Sequence, residues 1–181
     1  MRRALRAAAL ALVACSAAAS VERAGVELPE TVRAGDRSLA LASCGVRDTL
    51  WIEHYVAALY LLPGVQVAEA LRDPRQPKAI LMHVVRAAYL PERIPEKYRV
   101  PLADELRREP LARVRAAYQS LAAGDRVWIT YAPYTALTIA VNDRVIARAP
   151  GHALIESTLR TWAGEDPLSG KLRRLLLEHP C

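Results

Sequence analysis

The chain has 181 residues, 52% of them apolar and 24% charged, which is enough for one domain with a real core and too little for two comfortable ones. Eight Gly and twelve Pro exclude a disordered or fibrous class, and no apolar run approaches the roughly 18 residues that a membrane-crossing helix needs. The formal charge of +6 is no footprint of nucleic acid, because half of it sits in the first six residues.

Met1 to Ser20 reads as an export signal: Arg2, Arg3 and Arg6 open it, Ala7 to Ala14 is a short apolar run, and small residues close it. Two cleavage patterns overlap there. Ala17 and Ala19 form an A-x-A site that leaves Ser20 as the new N-terminus. Leu12-Val13-Ala14-Cys15 resembles a bacterial lipobox, with cleavage before Cys15 and lipidation of that residue. A third reading leaves Cys15 as an ordinary apolar member of the run. The first two predict a leader of residues 1–19, or 1–14 with a lipidated Cys15, and a single domain over 20–181. They place the domain in the periplasm or on the periplasmic face of a bacterial membrane. With the three leading Arg removed, 25 basic and 19 acidic residues become 22 and 19, a surplus of only three. Lys78, Lys97 and Lys171 are the only lysines and Phe is absent, which fits coding bias better than selection for an acidic partner.

Along the rest of the chain, Ser38 to Ala42 suits a short strand, and Thr49 to Leu62, rich in aromatic and β-branched residues and bounded by Pro63-Gly64, a longer one. Val65 to Arg72 predicts a short helix stopped before Pro74. Lys78 to Arg86 is nearly all apolar and so predicts a central strand. Tyr89 to Val100, with Pro91 and Pro95, fits a turn or a broken helix start. Pro101 suits the first position of a helix running toward Ala123, kinked or divided at Pro110. Arg126 to Tyr131 alternates as a strand, and Thr135 to Val141 with Arg144 to Ala149 flank the hairpin signal Asn142-Asp143. Helices follow over about His152 to Trp162 and Pro167 to Glu178, separated by Gly164. Strands and helices mixed with hairpins predict an α+β domain around an antiparallel sheet.

Few residues suggest chemistry. His54, His83, His152 and His179 have no Ser, Cys or metal partner in pattern, no nucleophile elbow or phosphate loop occurs, and Glu165-Asp166 reads as a solvated pair. No zinc spacing is present, so neither a metal nor a cofactor is expected. Once Cys15 is lipidated or lost, Cys44 and Cys181 remain, either as a disulfide or as two free thiols. The informative stretch is GVRDTLWIEHYVAALYL, Gly45 to Leu61. Arg47 shares period-2 parity with Tyr55, and regular alternation puts Trp51, Glu53, Tyr55, Ala57 and Leu59 on one face. An Arg at the mouth of an apolar cleft offers a planar fork for a carboxylate or phenolate, with a Tyr hydroxyl as a second donor. The competing reading makes Arg47 a rim residue paired with Asp48 or Glu53.

Taken in order, "VELPETV" at Val26 to Val32, "GVR" followed by "YVAALYL", "MHVVR", "AAGDRVWITY", "VNDRVIAR" and "TWAGEDPLSGKLRRLLL" resemble the chalcone isomerase-like family, in its exported bacterial branch. The resemblance implies an open-faced β-sandwich: a large antiparallel sheet covered by helices, with a ligand cleft between. It implies one of two functions, closure of a chalcone ring or binding of a fatty acid through an Arg and a Tyr. Arg47 matches the family's cleft arginine. Tyr55 falls where the resemblance puts the plant enzymes' catalytic Thr, on the strand after the arginine, and Tyr89 and Tyr98 are candidates for their helix-borne Tyr. Thr49, Cys44, Asp143 and Ala163 depart from the bacterial pattern. The expectation is therefore an exported binding protein for a small amphipathic carboxylate, of fatty-acid or aromatic type, held by Arg47, Tyr55 and Tyr89. An isomerase (intramolecular lyase) and a non-catalytic envelope scaffold are the alternatives. No nucleic-acid partner is expected, and contact with a membrane only through an N-terminal lipid.

Overall fold

The structure is a computed structural model that describes residues 20–179 and Cys181; the leader, with Cys15, lies outside the described residues. A small hairpin opens the domain, β1 (Ser20–Arg23) with β2 (Val26–Pro29). Seven strands then form one antiparallel sheet in sequence order: β3 (Thr31–Ala34), β4 (Arg37–Thr49), β5 (Ile52–Leu61), β6 (Lys78–Val84), β7 (Arg126–Tyr131), β8 (Leu137–Val141) and β9 (Arg144–Ala149). The helices are α1 (Val67–Arg72), α2 (Glu96–Glu105), α3 (Arg108–Gln119), α4 (Ala153–Ala163) and α5 (Gly170–Glu178), with one 3-10 turn at Ala87–Tyr89.

The α+β reading and the helix-covered antiparallel sheet are both observed, and the nearly all-apolar strand β6 is the middle one of the seven. Period-2 alternation sorts the sheet into two cores. Tyr55, Ala57, Leu59 and Leu61 of β5 face the helices with Leu154, Leu159 and Trp162 of α4, while Val56, Ala58 and Tyr60 face the other way, toward Val26 and Leu28 of the first hairpin.

Several boundaries depart from the sequence reading. The three N-terminal strands were not expected, and the strand expected to begin at Ser38 runs on to Thr49. Arg47 and Tyr55 therefore lie on different strands: the chain reverses at Leu50-Trp51, and the two residues pair directly across β4 and β5. The turn went unseen because Leu-Trp carries none of the Asn, Asp or Gly chemistry that marks a hairpin. Trp51 consequently does not share the face of Tyr55. Pro101 lies inside α2 instead of starting a helix. Its missing N–H leaves the Lys97 carbonyl without its helical donor, and Ser157 Oγ of α4 supplies one at 2.6 Å.

Three contacts lock the helices onto the sheet. Lys78, fully buried at the start of β6, donates to the carbonyls of Ala70 (3.1 Å) and Asp73 (3.0 Å) at the end of α1 and to Glu156 Oε1 of α4 (2.6 Å). Glu105 at the end of α2 accepts from the Ala153 N–H, capping α4. Gly151 makes room, since a Cβ there would stand 2.7 Å from Glu105 Oε1. Gly45 lets α5 sit close on β4, because a Cβ would meet Leu172 Cδ1 and Leu175 Cβ at 2.9 Å. Cys44 and Cys181 are paired, with Cα atoms 5.3 Å apart across 137 residues of sequence, so the end of the chain is tied to β4.

Two outcomes test these contacts. Lys78→Met alone should destabilise the domain by about 3–5 kcal/mol, because Glu156 is left buried and unpaired, whereas Lys78→Met with Glu156→Leu should recover most of the loss; urea titrations of the three proteins read this directly. Alkylation of oxidised, denatured protein should leave Cys44 and Cys181 unlabelled, and Cys181→Ser should lower stability by about 2–4 kcal/mol.

Candidate functional site

Between the helix-facing side of the sheet and the helices lies a cavity of about 270 Å³. Its floor is sheet: Ile80 and Met82 of β6, Val127 and Ile129 of β7, Ile139 and Val141 of β8. Its roof is helical: Tyr98 and Leu102 of α2, Val114 and Tyr118 of α3, Leu154, Thr158 and Trp162 of α4. Of the residues named from sequence, Arg47, Tyr55, Tyr89 and Tyr98 all line this one cavity. Cys44 faces the opposite core.

Two β-bulges shape the wall. Arg47 pairs with Tyr55 and Asp48 with Glu53, so His54 is an extra residue without a partner on β4. Ile139 pairs with Ala147 and Ala140 with Val145, which leaves Ile146 extra on β9. An extra residue breaks alternation and turns its side chain to the face its neighbour already occupies. His54 and Ile146 both reach the cavity in this way. Strict alternation, as applied to the sequence, sent His54 to the far side of the sheet.

The wall is largely apolar and aromatic, with one Arg at the end where β4 turns into β5. There Arg47 Nη1 donates to the Asp48 carbonyl and, at 3.1 Å, to Thr49 Oγ1. The Asp48 carboxylate is taken by Lys171 of α5, and no ion pair joins Arg47 to Asp48 or Glu53 among the described residues. Nη1 alone is engaged, so the remaining donors of the five-donor fork make no hydrogen bond to any described residue. His54 stacks on Tyr89, ring centroids 5.5 Å apart, and its Nε2 is buried without a partner among the described residues. Burial and, second, the Arg47 charge hold the His54 pKa below its ordinary 6.5.

Around Tyr55, aromatic groups interlock. Tyr55 stacks on Trp162 at 5.8 Å, and Trp162 Nε1 donates to the Tyr98 hydroxyl at 3.1 Å. Burial pushes the Tyr55 and Tyr98 hydroxyls far above their ordinary value, with the Arg47 charge opposing it at Tyr55. Burial likewise pushes Tyr118 up to about 12. All three stay protonated at neutral pH, as hydrogen-bond donors and not as bases. Sequence reasoning missed Tyr118 and Leu168. The only signal for Tyr118 was its place on the apolar side of a helix beside Val114.

A sequence profile described as "Chalcone isomerase-like" matches residues 20–178. The chain belongs to the chalcone isomerase-like family. Among solved structures it is similar to a fatty-acid binding protein of Arabidopsis thaliana, with a TM-score of 0.57 and 18% identity over 88% of this chain and 96% of that one. At that identity the likeness is one of fold. No curated protein is significantly similar to it in sequence.

The family fold here carries a pH dependence of its own. His83, on the outer face, is held below 6.5 by burial and by Arg126, as His54 is by burial and Arg47. In the unfolded chain both take up protons near pH 6.5 that the folded chain resists, so stability is lost as pH falls through that region. Melting temperature should drop between about pH 7.5 and 5.5, and the drop should be shallower in His54→Gln with His83→Gln. An equal slope in both proteins would remove the histidines as its cause. Glu105, pushed up chiefly by burial, acts with the opposite sign at the acid end, so the comparison with the variant carries the test.

Proposed function

We propose that this domain binds a small amphipathic carboxylate, of fatty-acid or aromatic type, with its apolar part in the cavity and its carboxylate at Arg47. The observation that carries the reading is the contrast along the cavity wall: largely apolar and aromatic side chains beside one guanidinium that makes no ion pair among the described residues. A cation beside apolar surface is unfavourable unless an anion compensates it, and a fork with free donors suits a carboxylate in two-point contact. Tyr55 and Tyr89 stand beside it as a hydroxyl donor and an aromatic rim. The fold shared with a plant fatty-acid binding protein supports the same reading.

Binding is favoured over ring closure because Tyr55 stands where the resemblance puts the plant enzymes' catalytic Thr. The domain acts outside the cytoplasm, as a member of the exported bacterial branch. The basic, apolar and small-residue order of Met1 to Ser20 supports this, as does a cysteine pairing suited to an oxidising compartment.

Titration with a medium-chain fatty acid tests the proposal. Arg47→Ala should weaken binding by about ten- to a hundredfold, the value of a charge-assisted hydrogen bond at roughly 1.5–3 kcal/mol. Arg47→Lys should restore little, and Tyr55→Phe should cost about 1 kcal/mol. A lowered melting temperature with unchanged affinity in all three variants would instead make Arg47 and Tyr55 structural residues.

A further inference from the structure

The turn between β4 and β5 is built against its own chemistry. The ladder runs up to Thr49 paired with Ile52, so Leu50 and Trp51 form a two-residue loop, and both have positive φ, 49° and 70°. That is the requirement of a type I′ turn, which favours Asn and Gly; bulky side chains there are strained. Both are also bare. Leu50 is 83% and Trp51 94% exposed, and Trp51 stacks on no described aromatic ring. Strain retained under two solvent-facing apolar side chains points to use at that place.

The position of the turn says what use. Arg47, three residues before Leu50, marks the charged end of the cavity, and among the cavity-lining residues Tyr89 (46%), Leu168 (40%) and Pro91 are exposed. Tyr89 stacks on His54, two residues beyond the start of β5. The tip thus projects from the same end at which the cavity wall reaches the surface. Near its base Lys171 is paired with Asp48, and Arg47 with exposed Arg86, whose N–H bonds the His54 carbonyl, outnumber Glu53, a surplus of one positive charge. Trp prefers the boundary between headgroups and acyl chains, where its ring is part apolar and part polar. Positive charge close behind it favours anionic headgroups.

We infer that the Leu50-Trp51 tip is a membrane-docking element that seats the cavity mouth on an anionic lipid surface. This differs from the N-terminal lipid expected at Cys15, since it orients the domain and does not merely tether it. What passes into the cavity rests on the carboxylate reading above; the docking does not. An amphipathic carboxylate would then reach Arg47 from the lipid without crossing open water.

The test uses full-length protein and vesicles of phosphatidylcholine with a minority of phosphatidylglycerol, the acyl chains brominated to quench tryptophan. The Trp51 emission is the difference between wild type and Trp51→Phe, with Trp128 and Trp162 as common background. That difference should be quenched by brominated vesicles, even if a lipid anchor already holds the protein there, and less so without phosphatidylglycerol. Leu50→Asn with Trp51→Gly, which restores favoured turn chemistry, should raise the melting temperature. It should also slow fatty-acid uptake from vesicles about tenfold, a change within reach of removing one large apolar side chain from lipid, and leave affinity in solution unchanged. Trp51 emission indifferent to vesicles and open to iodide would overturn the inference. So would Trp51 already shielded from iodide in lipid-free protein, which would mark the tip as a contact with another protein chain. If Arg47 variants leave affinity unchanged while Trp51 is quenched, the ligand reading falls and the docking stands.

Discussion

The helix layer depends on Lys78. A lysine at full burial is tolerable only if its ammonium is satisfied and neutralised, and here three acceptors from two helices converge on it. Two of them are the end carbonyls of α1, which would otherwise lack donors; the third is Glu156 of α4. One side chain therefore fixes two helices against the central strand. A hydrophobic replacement could match its stability, but apolar contacts would not specify the rotation of α4 so narrowly. That rotation puts Leu154, Thr158 and Trp162 over the cavity and Glu156 over Lys78, on neighbouring stripes of one helix.

The cavity exists because the remaining helices are held from their ends. Pro101 weakens α2 internally and, by freeing the Lys97 carbonyl, gives Ser157 of α4 something to bind. Glu105 closes the same helix pair from its other end. With α2 fixed to α4 by these polar contacts, close packing of every side chain onto the sheet is not needed to keep the roof in place. Gly45 shows the opposite design under α5, where backbone and helix approach too closely for a Cβ.

Departures from regular sheet geometry define the polar end. The bulge at His54 turns an imidazole to the face that Arg47 and Tyr55 share, and the strained turn four residues earlier holds Leu50 and Trp51 in solvent. Two bulges, at Ala42 and His54, and an unfavourable turn thus interrupt this one hairpin.

The sequence alone determined the α+β class, the antiparallel hairpins, the central place of β6, the end of α4 at Gly164 and the family to which the chain belongs. These follow from local periodicity, turn chemistry and ordered motifs, all written in neighbouring residues. It also singled out Arg47, Tyr55 and Tyr89, by the oddity of a cation in an aromatic strand and by resemblance. Only the tertiary structure decided that Arg47 and Tyr55 meet across two strands, that His54 and Ile146 leave their alternation, and that Lys78 and Glu156, 78 residues apart, form a buried pair. The physical reason is the same in each case: register, bulges and long-range ion pairs are settled by which strand or helix lies opposite, and a chain read in order carries no signal of what lies opposite.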